Sequence, residues 1–209
     1  MKPLNNPTLL LVRHGATTMN ENPKRFRGMD DPPLNEDGVK QAHEAAERVG
    51  KYPLHHIYHS ALKRTARTAQ IISKHTDAQT TPTKALDPWD YGELTGKEIT
   101  PERLKEMKSY QDAPQMKTPG GESYEDFYKR FAGGLKSAKD FVHEHPEKAL
   151  ALVTHSRNLY PLRHILGENV DIPTHETPTA KGGGMPGYEE PGSVWKVEWK
   201  GGKHTVSRA

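Results

Sequence analysis

Two short runs of consecutive apolar residues constrain the fold of this chain more than any other feature. The first, TLLLV, spans residues 8–12, and the second, ALALV, spans residues 149–153. Each run has the length of a strand but lacks the polar and apolar alternation of a half-buried strand, which indicates burial on both faces. Strands of this kind belong to parallel sheets that are covered by helices on both sides.

Helical patterns and a further short strand lie between and after these runs. Asn35 can cap a helix that Gly50 ends, and a short strand over residues 57–59 leads to a helix that Ser60 caps. The second half adds three helices and a late edge strand: residues 101–110, a helix between Ser123 and Pro146, residues 159–166, and residues 194–199. The order predicts one α/β domain over residues 1–209, with three layers (α/β/α) and a mostly parallel central sheet.

The composition excludes several classes of function. The chain has no Cys, so disulfides, Cys-bearing zinc sites and cysteine nucleophiles are excluded. The net charge of +3 is spread along the sequence without a basic block, and the longest apolar run is far too short to span a membrane. We therefore expect a cytoplasmic protein with no nucleic-acid or membrane partner. An edge strand near Trp195 leaves a homodimer open.

Histidines follow both of the buried strands. In α/β sheets, ligands bind beyond the carboxyl ends of the strands, and here these ends carry Arg13-His14-Gly15 and Thr154-His155-Ser156. A basic residue, a His and a Gly that lets a ligand approach the backbone suit an anion. The two segments are expected to share one pocket.

Five motifs occur in a fixed order along the chain. They are RHG at residues 13–15, RFRGMDDPPLNEDG at residues 25–38, HSALKRTARTA at residues 59–69, GGES at residues 120–123 and VTH at residues 153–155. With these motifs the chain resembles the histidine phosphatase superfamily, also called phosphoglycerate mutase-like. The pieces run from about residue 9 to residue 167, and the late strand also fits, so nearly the whole chain is covered.

The resemblance implies a mechanism. His14 would attack a phosphoryl group and carry it as phosphohistidine, while Arg13, Arg64 and His155 would surround the phosphoryl oxygens, without a metal or cofactor. Further residues would contact the substrate or orient the basic groups: Thr17, Asn20, Gly28, Ser156, Glu122 and Ser123. Arg27 is a candidate for binding a second anionic group of the substrate, against the alternative of a solvated loop cation.

The sequence departs from the family pattern at the proton donor. Relatives carry a Glu four residues before a Gly, and in LDPWDYGELTG that position is Pro88, which cannot donate a proton. Asp90 is the first candidate in its place, with Asp87 and Glu93 next, although an Asp before an aromatic residue and a Gly is also ordinary turn chemistry. A second departure is Arg157, which adds a side chain at the edge of the pocket.

These observations lead to a metal-independent phosphomonoesterase acting on a small phosphorylated substrate. Two alternatives stay open: phosphoryl transfer of the phosphoglycerate mutase type, and a non-catalytic phosphate-binding module. Only residues 93–121, with a single isolated Arg103, separate the YG stretch from GGES, whereas mutase relatives have a longer insertion with an arginine pair. Loops at residues 23–34, 97–121 and 171–193 are expected to cap the pocket and to set the substrate.

Overall fold

The computed structural model describes residues 2–20, 25–159 and 190–209, and its core is a six-stranded sheet in the order β3-β2-β4-β1-β5-β6. The strands are β1 (Thr8–Arg13), β2 (Leu54–His59), β3 (Gln79–Pro82), β4 (Ala149–Thr154), β5 (Val194–Lys200) and β6 (Lys203–Arg208). The first four strands of that order are parallel to one another, whereas β5 pairs antiparallel with β1 and β6 pairs antiparallel with β5. The prediction of a mostly parallel sheet is confirmed.

Four α-helices flank the sheet within the described residues. They are α1 (Glu36–Val49), α2 (Lys63–Thr76), α3 (Pro101–Asp112) and α4 (Tyr124–Glu144). Two predicted caps are confirmed, because the Asn35 side chain accepts a hydrogen bond from the Gly38 amide and that of Ser123 accepts one from Asp126. The prediction that Ser60 caps α2 is wrong, because the N-cap residue is Leu62, which makes no side-chain cap hydrogen bond, and the Ser60 hydroxyl donates to Asp87 Oδ1 at 2.6 Å.

Alternate residues of the central strands point to opposite faces of the sheet and pack into two separate hydrophobic cores. Leu10 and Val12 pack with apolar residues of α1 and α2, whereas Leu9 and Leu11 pack with those of α4, and all four are fully buried. Each such side chain contributes about 1.5–3 kcal/mol of hydrophobic stabilisation relative to exposure. The two cores confirm the three-layer α/β/α arrangement and explain why β1 and β4 contain apolar residues without alternation.

The last strands differ from the sequence prediction. β5 is hydrogen-bonded to β1 on one side and to β6 on the other, so β6 and not β5 forms this edge of the sheet. The edge that was expected near Trp195 is therefore not available for pairing with a second copy.

The predicted helix over residues 159–166 and most of the loop over residues 171–193 lie outside the described residues. Among the helices that are described, none has the length and apolar character needed to cross a bilayer.

Candidate active site

The carboxyl ends of β1, β4 and β2 lie side by side. In the register of the sheet Arg13 pairs with Thr154, and His59 pairs with Val153. The His14 amide then donates to the Thr154 carbonyl at 3.1 Å, which extends the pairing by one residue. His14 and His155 consequently meet edge to face, with their ring centroids 5.2 Å apart.

The turn that carries His14 packs directly against the start of α1. A Cβ atom on Gly15 would overlap the carbonyl of Gly38, and a Cβ atom on Gly38 would overlap the carbonyl of Ala16. The Asn35 amide also donates to the Ala16 carbonyl at 3.1 Å. Because only glycine permits this approach at both positions, the pair of glycines fixes the turn against the helix.

The environment of His14 keeps its imidazole neutral and one of its ring nitrogens unprotonated. Its side chain is 2% exposed, and Nδ1 lies 2.6 Å from the Gly15 carbonyl oxygen. A carbonyl can only accept, so Nδ1 carries the proton and Nε2 keeps a free lone pair. Burial first, and then the charges of Arg64, Arg13 and Arg27, lower the pKa of His14 well below its usual value. The imidazole is therefore neutral near pH 7.

His155 is a second neutral imidazole beside the first. It is 4% exposed, and neither ring nitrogen has a hydrogen-bond partner among the described residues. Burial, followed by the charge of Arg64, lowers the pKa of His155 well below its usual value. A buried polar group without a partner is costly, so these nitrogens are suited to contact a polar ligand.

Arg64 lies in the first turn of α2 and brings a buried positive charge to the two histidines. It is 1% exposed and donates to the carbonyl oxygens of Gly28 and Asp30, while its Nε has no partner among the described residues. Burial, then repulsion from Arg27, lowers the pKa of Arg64 to about 10. It stays protonated near neutral pH, so the site retains a poorly solvated cation.

These side chains line a cavity of about 180 Å³. Five arginines and two histidines contribute to its lining, and none of the described residues that line it is an Asp or a Glu. The described lining residues are Arg13, His14, Arg25, Phe26, Arg27, Gly28, Arg64, Pro88, Tyr91, Ile99, His155, Ser156 and Arg157. A concave surface with this excess of positive charge is suited to an anion with several oxygens.

The cavity brings together seven of the residues that the sequence singled out for the site. These are Arg13, His14, Arg27, Gly28, Arg64, His155 and Ser156. Thr17 and Asn20 are not among its lining residues. Instead, Asn20 Oδ1 accepts hydrogen bonds from the Thr17 amide at 3.0 Å and from Arg27 at 3.1 Å. Asn20 thus holds Arg27, which does line the cavity, and Thr17 bonds to Asn20.

The two GGES residues singled out for the site, Glu122 and Ser123, take up other positions. Glu122 Oε1 accepts from Arg130 at 2.6 Å and from the Asp90 amide at 3.0 Å, so it orients the segment before Gly92. Arg130 also donates to the Pro88 carbonyl. Ser123 caps α4. Both residues support one wall of the cavity and do not line it.

The three candidates for the proton donor also lie outside the described lining. The Asp90 carboxylate accepts from the Gly92 amide at 2.9 Å, which is the local turn that a residue of this type favours. Asp87 accepts from the Ser60 hydroxyl and the Ala61 amide, and Glu93 is exposed. Pro88 itself does line the cavity. The geometry therefore gives the proton-donor role predicted for Asp90 no support.

Four lining residues were not named individually for the site, although all but Tyr91 lie in loops that were expected to cap it: Arg25, Phe26, Tyr91 and Ile99. Phe26 and Tyr91 contact each other edge to face, with ring centroids 5.7 Å apart. Arg25 donates to the Gly96 carbonyl at 2.8 Å, and the Phe26 amide donates to the Lys97 carbonyl at 2.9 Å. These contacts join sequence segments about 70 residues apart, which no local pattern reveals. Over residues 2–20, 25–159 and 190–209, no three His, Asp or Glu side chains cluster in a way that could hold a metal ion.

Comparison with known proteins finds relatives that match most of this chain. The probable phosphoglycerate mutase GpmB of Proteus mirabilis (strain HI4320) is 36% identical over 153 residues, which are 71% of this chain and 66%, just under two thirds, of that protein. The uncharacterized phosphatase PhoE of Bacillus subtilis (strain 168) is 32% identical over 152 residues, 73% of each chain.

Solved structures show the same fold. A phosphoglycerate mutase from Bacillus anthracis str. Sterne superposes with a TM-score of 0.74 at 21% identity, covering 99% of this chain and 94% of that one. A mycobacterial glucosyl-3-phosphoglycerate phosphatase in complex with VO3 gives 0.72 at 23% identity, covering 97% and 98%. The family model for the histidine phosphatase superfamily (branch 1) matches residues 9–208, and the chain therefore belongs to that superfamily.

Proposed function

We propose that this protein is a metal-independent phosphomonoesterase that hydrolyses a small phosphate ester through a phosphohistidine on His14. The observation that carries the proposal is a buried, neutral imidazole whose Nε2 lone pair is free, in a cavity lined by five arginines. A cavity of about 180 Å³ favours a small substrate.

Phosphoryl transfer to His14 follows from this arrangement. The Nε2 lone pair attacks phosphorus while the ester oxygen leaves on the opposite side, and water later attacks the phosphohistidine in the same way. Arg13, Arg64 and His155 contact the phosphoryl oxygens, where negative charge is concentrated in the transition state. Each such contact is worth about 2.7–4 kcal/mol of barrier, by analogy with the removal of an oxyanion-hole donor.

Arg27 is proposed to bind a second anionic group of the substrate. Burial lowers its pKa, and its Nε has no partner among the described residues, so its charge is poorly compensated by the protein. Asn20 and the Met19 carbonyl hold the guanidinium in the lining. A carboxylate or second phosphate on the substrate would supply the missing acceptor.

Hydrolysis is favoured over transfer to a second hydroxyl. Arg103, the isolated arginine between Tyr91 and Gly120, donates to the Glu98 carbonyl at 3.0 Å and is not among the described lining residues. No cation from that segment therefore joins the described lining to hold a doubly phosphorylated intermediate.

The test is a rapid-quench experiment with p-nitrophenyl phosphate and with 3-phosphoglycerate, with and without EDTA. We expect turnover that survives EDTA and an acid-labile, alkali-stable phosphoenzyme, both lost in His14→Ala. Efficient isomerisation to 2-phosphoglycerate would instead identify a mutase, and phosphate binding without turnover would identify a non-catalytic module.

His59 provides a matched control for that experiment. It ends β2, another parallel strand of the same sheet, and is 6% exposed. Its Nδ1 lies 2.7 Å from the carbonyl oxygen of the next residue, an arrangement that His14 shares. It is not among the described residues that line the cavity. His59→Ala should therefore keep the phosphoenzyme, whereas equal losses in the two variants would contradict the proposal.

A further inference from the structure

The proposed hydrolysis requires a proton for the leaving oxygen, and the described lining offers few sources. An arginine that gave up a proton would lose the charge proposed to stabilise the phosphoryl oxygens, and the two histidines are neutral, so neither type is suited to donate this proton. The hydroxyl groups of the described lining belong to Tyr91 and Ser156. A phenol ionises near pH 10, far more readily than an alcohol, and is an established type of general acid.

Tyr91 is held rigidly in the cavity wall. It is 5% exposed, and its ring meets Trp89 edge to face at 5.3 Å and Phe26 at 5.7 Å. A Cβ atom on Gly28 would lie 3.1 Å from Tyr91 Cδ2, so the backbone of that segment already packs closely against the ring. A side chain fixed by packing from two segments can present its hydroxyl in one place.

The charge near Tyr91 is suited to a phenolate. Arg27 lines the same cavity and follows Phe26, whose ring contacts Tyr91. Burial lowers the pKa of Arg27, and electrostatic attraction to the Tyr91 oxygen opposes that change. A guanidinium in the same lining is placed to balance negative charge that develops there during the reaction.

We propose that the Tyr91 hydroxyl donates the proton to the leaving oxygen during phosphoryl transfer to His14. In the first step the bond between phosphorus and the ester oxygen breaks, its electron pair stays on that oxygen, and the oxygen takes the Tyr91 proton as the bond from His14 Nε2 to phosphorus forms. In the second step water attacks phosphorus, the electron pair of the N–P bond returns to Nε2, and a proton of that water passes to the phenolate. The sum of the two steps is hydrolysis of the ester. This inference rests on the proposed function.

The test measures kcat/KM for esters whose leaving groups differ in their need for a proton. p-Nitrophenolate leaves without protonation, whereas the alkoxide of glycerol 2-phosphate requires it. We expect Tyr91→Phe to lower kcat/KM for glycerol 2-phosphate by about 100-fold, the lower end for general acid catalysis, and to change that for p-nitrophenyl phosphate less than about threefold.

Tyr124→Phe is the matched control. Tyr124 belongs to the same aromatic cluster, at 5.0 Å from Trp89, and is 4% exposed, but it is not among the described lining residues. This variant should leave both rates unchanged. Equal losses on the two esters in Tyr91→Phe, or selective loss in Asp90→Asn but not in Tyr91→Phe, would overturn the inference.

A measurement on the unaltered protein keeps the inference testable if Tyr91→Phe does not fold. A positioned donor makes kcat/KM nearly independent of the leaving-group pKa across a series of aryl and alkyl phosphates, and a steep dependence would overturn the inference. Failure of the proposed function is distinguishable, because it removes the phosphoenzyme on His14 altogether, whereas failure of the inference leaves the phosphoenzyme in place. Loss of the phosphoenzyme overturns both.

Discussion

Replacement of Arg64 by Met tests separately what this buried cation contributes to catalysis and what it contributes to the free energy of unfolding. Burial, followed by repulsion from Arg27, lowers the pKa of Arg64 to about 10, which corresponds to about 3 kcal/mol that disfavours the charged form in the folded protein. Met removes that cost, but it leaves the carbonyl groups of Gly28 and Asp30 without their donor, at about 1–3 kcal/mol each. The terms oppose each other, so Arg64→Met should reduce the free energy of unfolding by no more than about 3 kcal/mol.

The catalytic effect of Arg64→Met should be much larger than its effect on stability. Losing one contact to the phosphoryl group lowers kcat by about 100- to 1,000-fold. Urea unfolding and steady-state kinetics with p-nitrophenyl phosphate measure the two effects on the same protein. Arg67→Met, an exposed arginine on the same helix, should change neither. A folded Arg64→Met protein with kcat within about threefold of the unaltered protein would refute the catalytic role.

Two further predictions concern the charges of the cavity. The pKa values of His14 and His155 are lowered by folding, so below about pH 6.5 the unfolded chain binds more protons than the folded one, and stability should fall as the pH drops from about 6.5 to 5. Urea unfolding should show a smaller acid loss in the double variant His14→Asn, His155→Asn, and an equal loss would contradict the assignment. Arg27→Gln should lower kcat/KM for 3-phosphoglycerate by at least about 10-fold, the value of a charge-assisted hydrogen bond, and that for p-nitrophenyl phosphate by less than about threefold. Equal effects on the two esters would show that Arg27 does not contact a second anionic group.

The strands that the sequence predicted are those whose burial leaves a pattern. β1 and β4 are buried at every residue, and the continuous apolar runs TLLLV and ALALV predict this burial. The edge strands β3 and β6 escaped prediction because QTTP and KHTVSR are mostly exposed and polar. Ser60 was predicted as a helix cap because Ser is a frequent N-cap residue, but its hydroxyl donates a hydrogen bond to Asp87, which is 27 residues away. Local propensity carries no information about such a distant partner.

The candidate site divides in the same way. His14 and His155 were predicted because each follows a buried strand of a parallel sheet, where the topology alone brings them to one edge. Tyr91 was not, because an aromatic residue before a Gly is more often part of the core, and its place in the lining depends on contacts with residues 26 and 28. Asp90 was nominated for the chemistry of its carboxyl group, but the neighbouring Gly92 amide holds that group in a turn.

Because Gly15 and Gly38 are in direct contact, the side of the cavity that carries His14 tolerates fewer substitutions than the opposite side. His14, the proposed phosphoryl acceptor, lies in a turn whose Gly15 contacts Gly38 of α1 backbone to backbone, so no side chain at these two glycines can be exchanged to reshape that side. The opposite side of the cavity is built from residues 25–28 and from residues 88–91. These two segments contact each other through side chains such as Phe26 and Tyr91, which substitution can make larger or smaller. New substrate preferences in proteins of this architecture are therefore expected to evolve through the opposite side, with the chemistry of the histidine preserved.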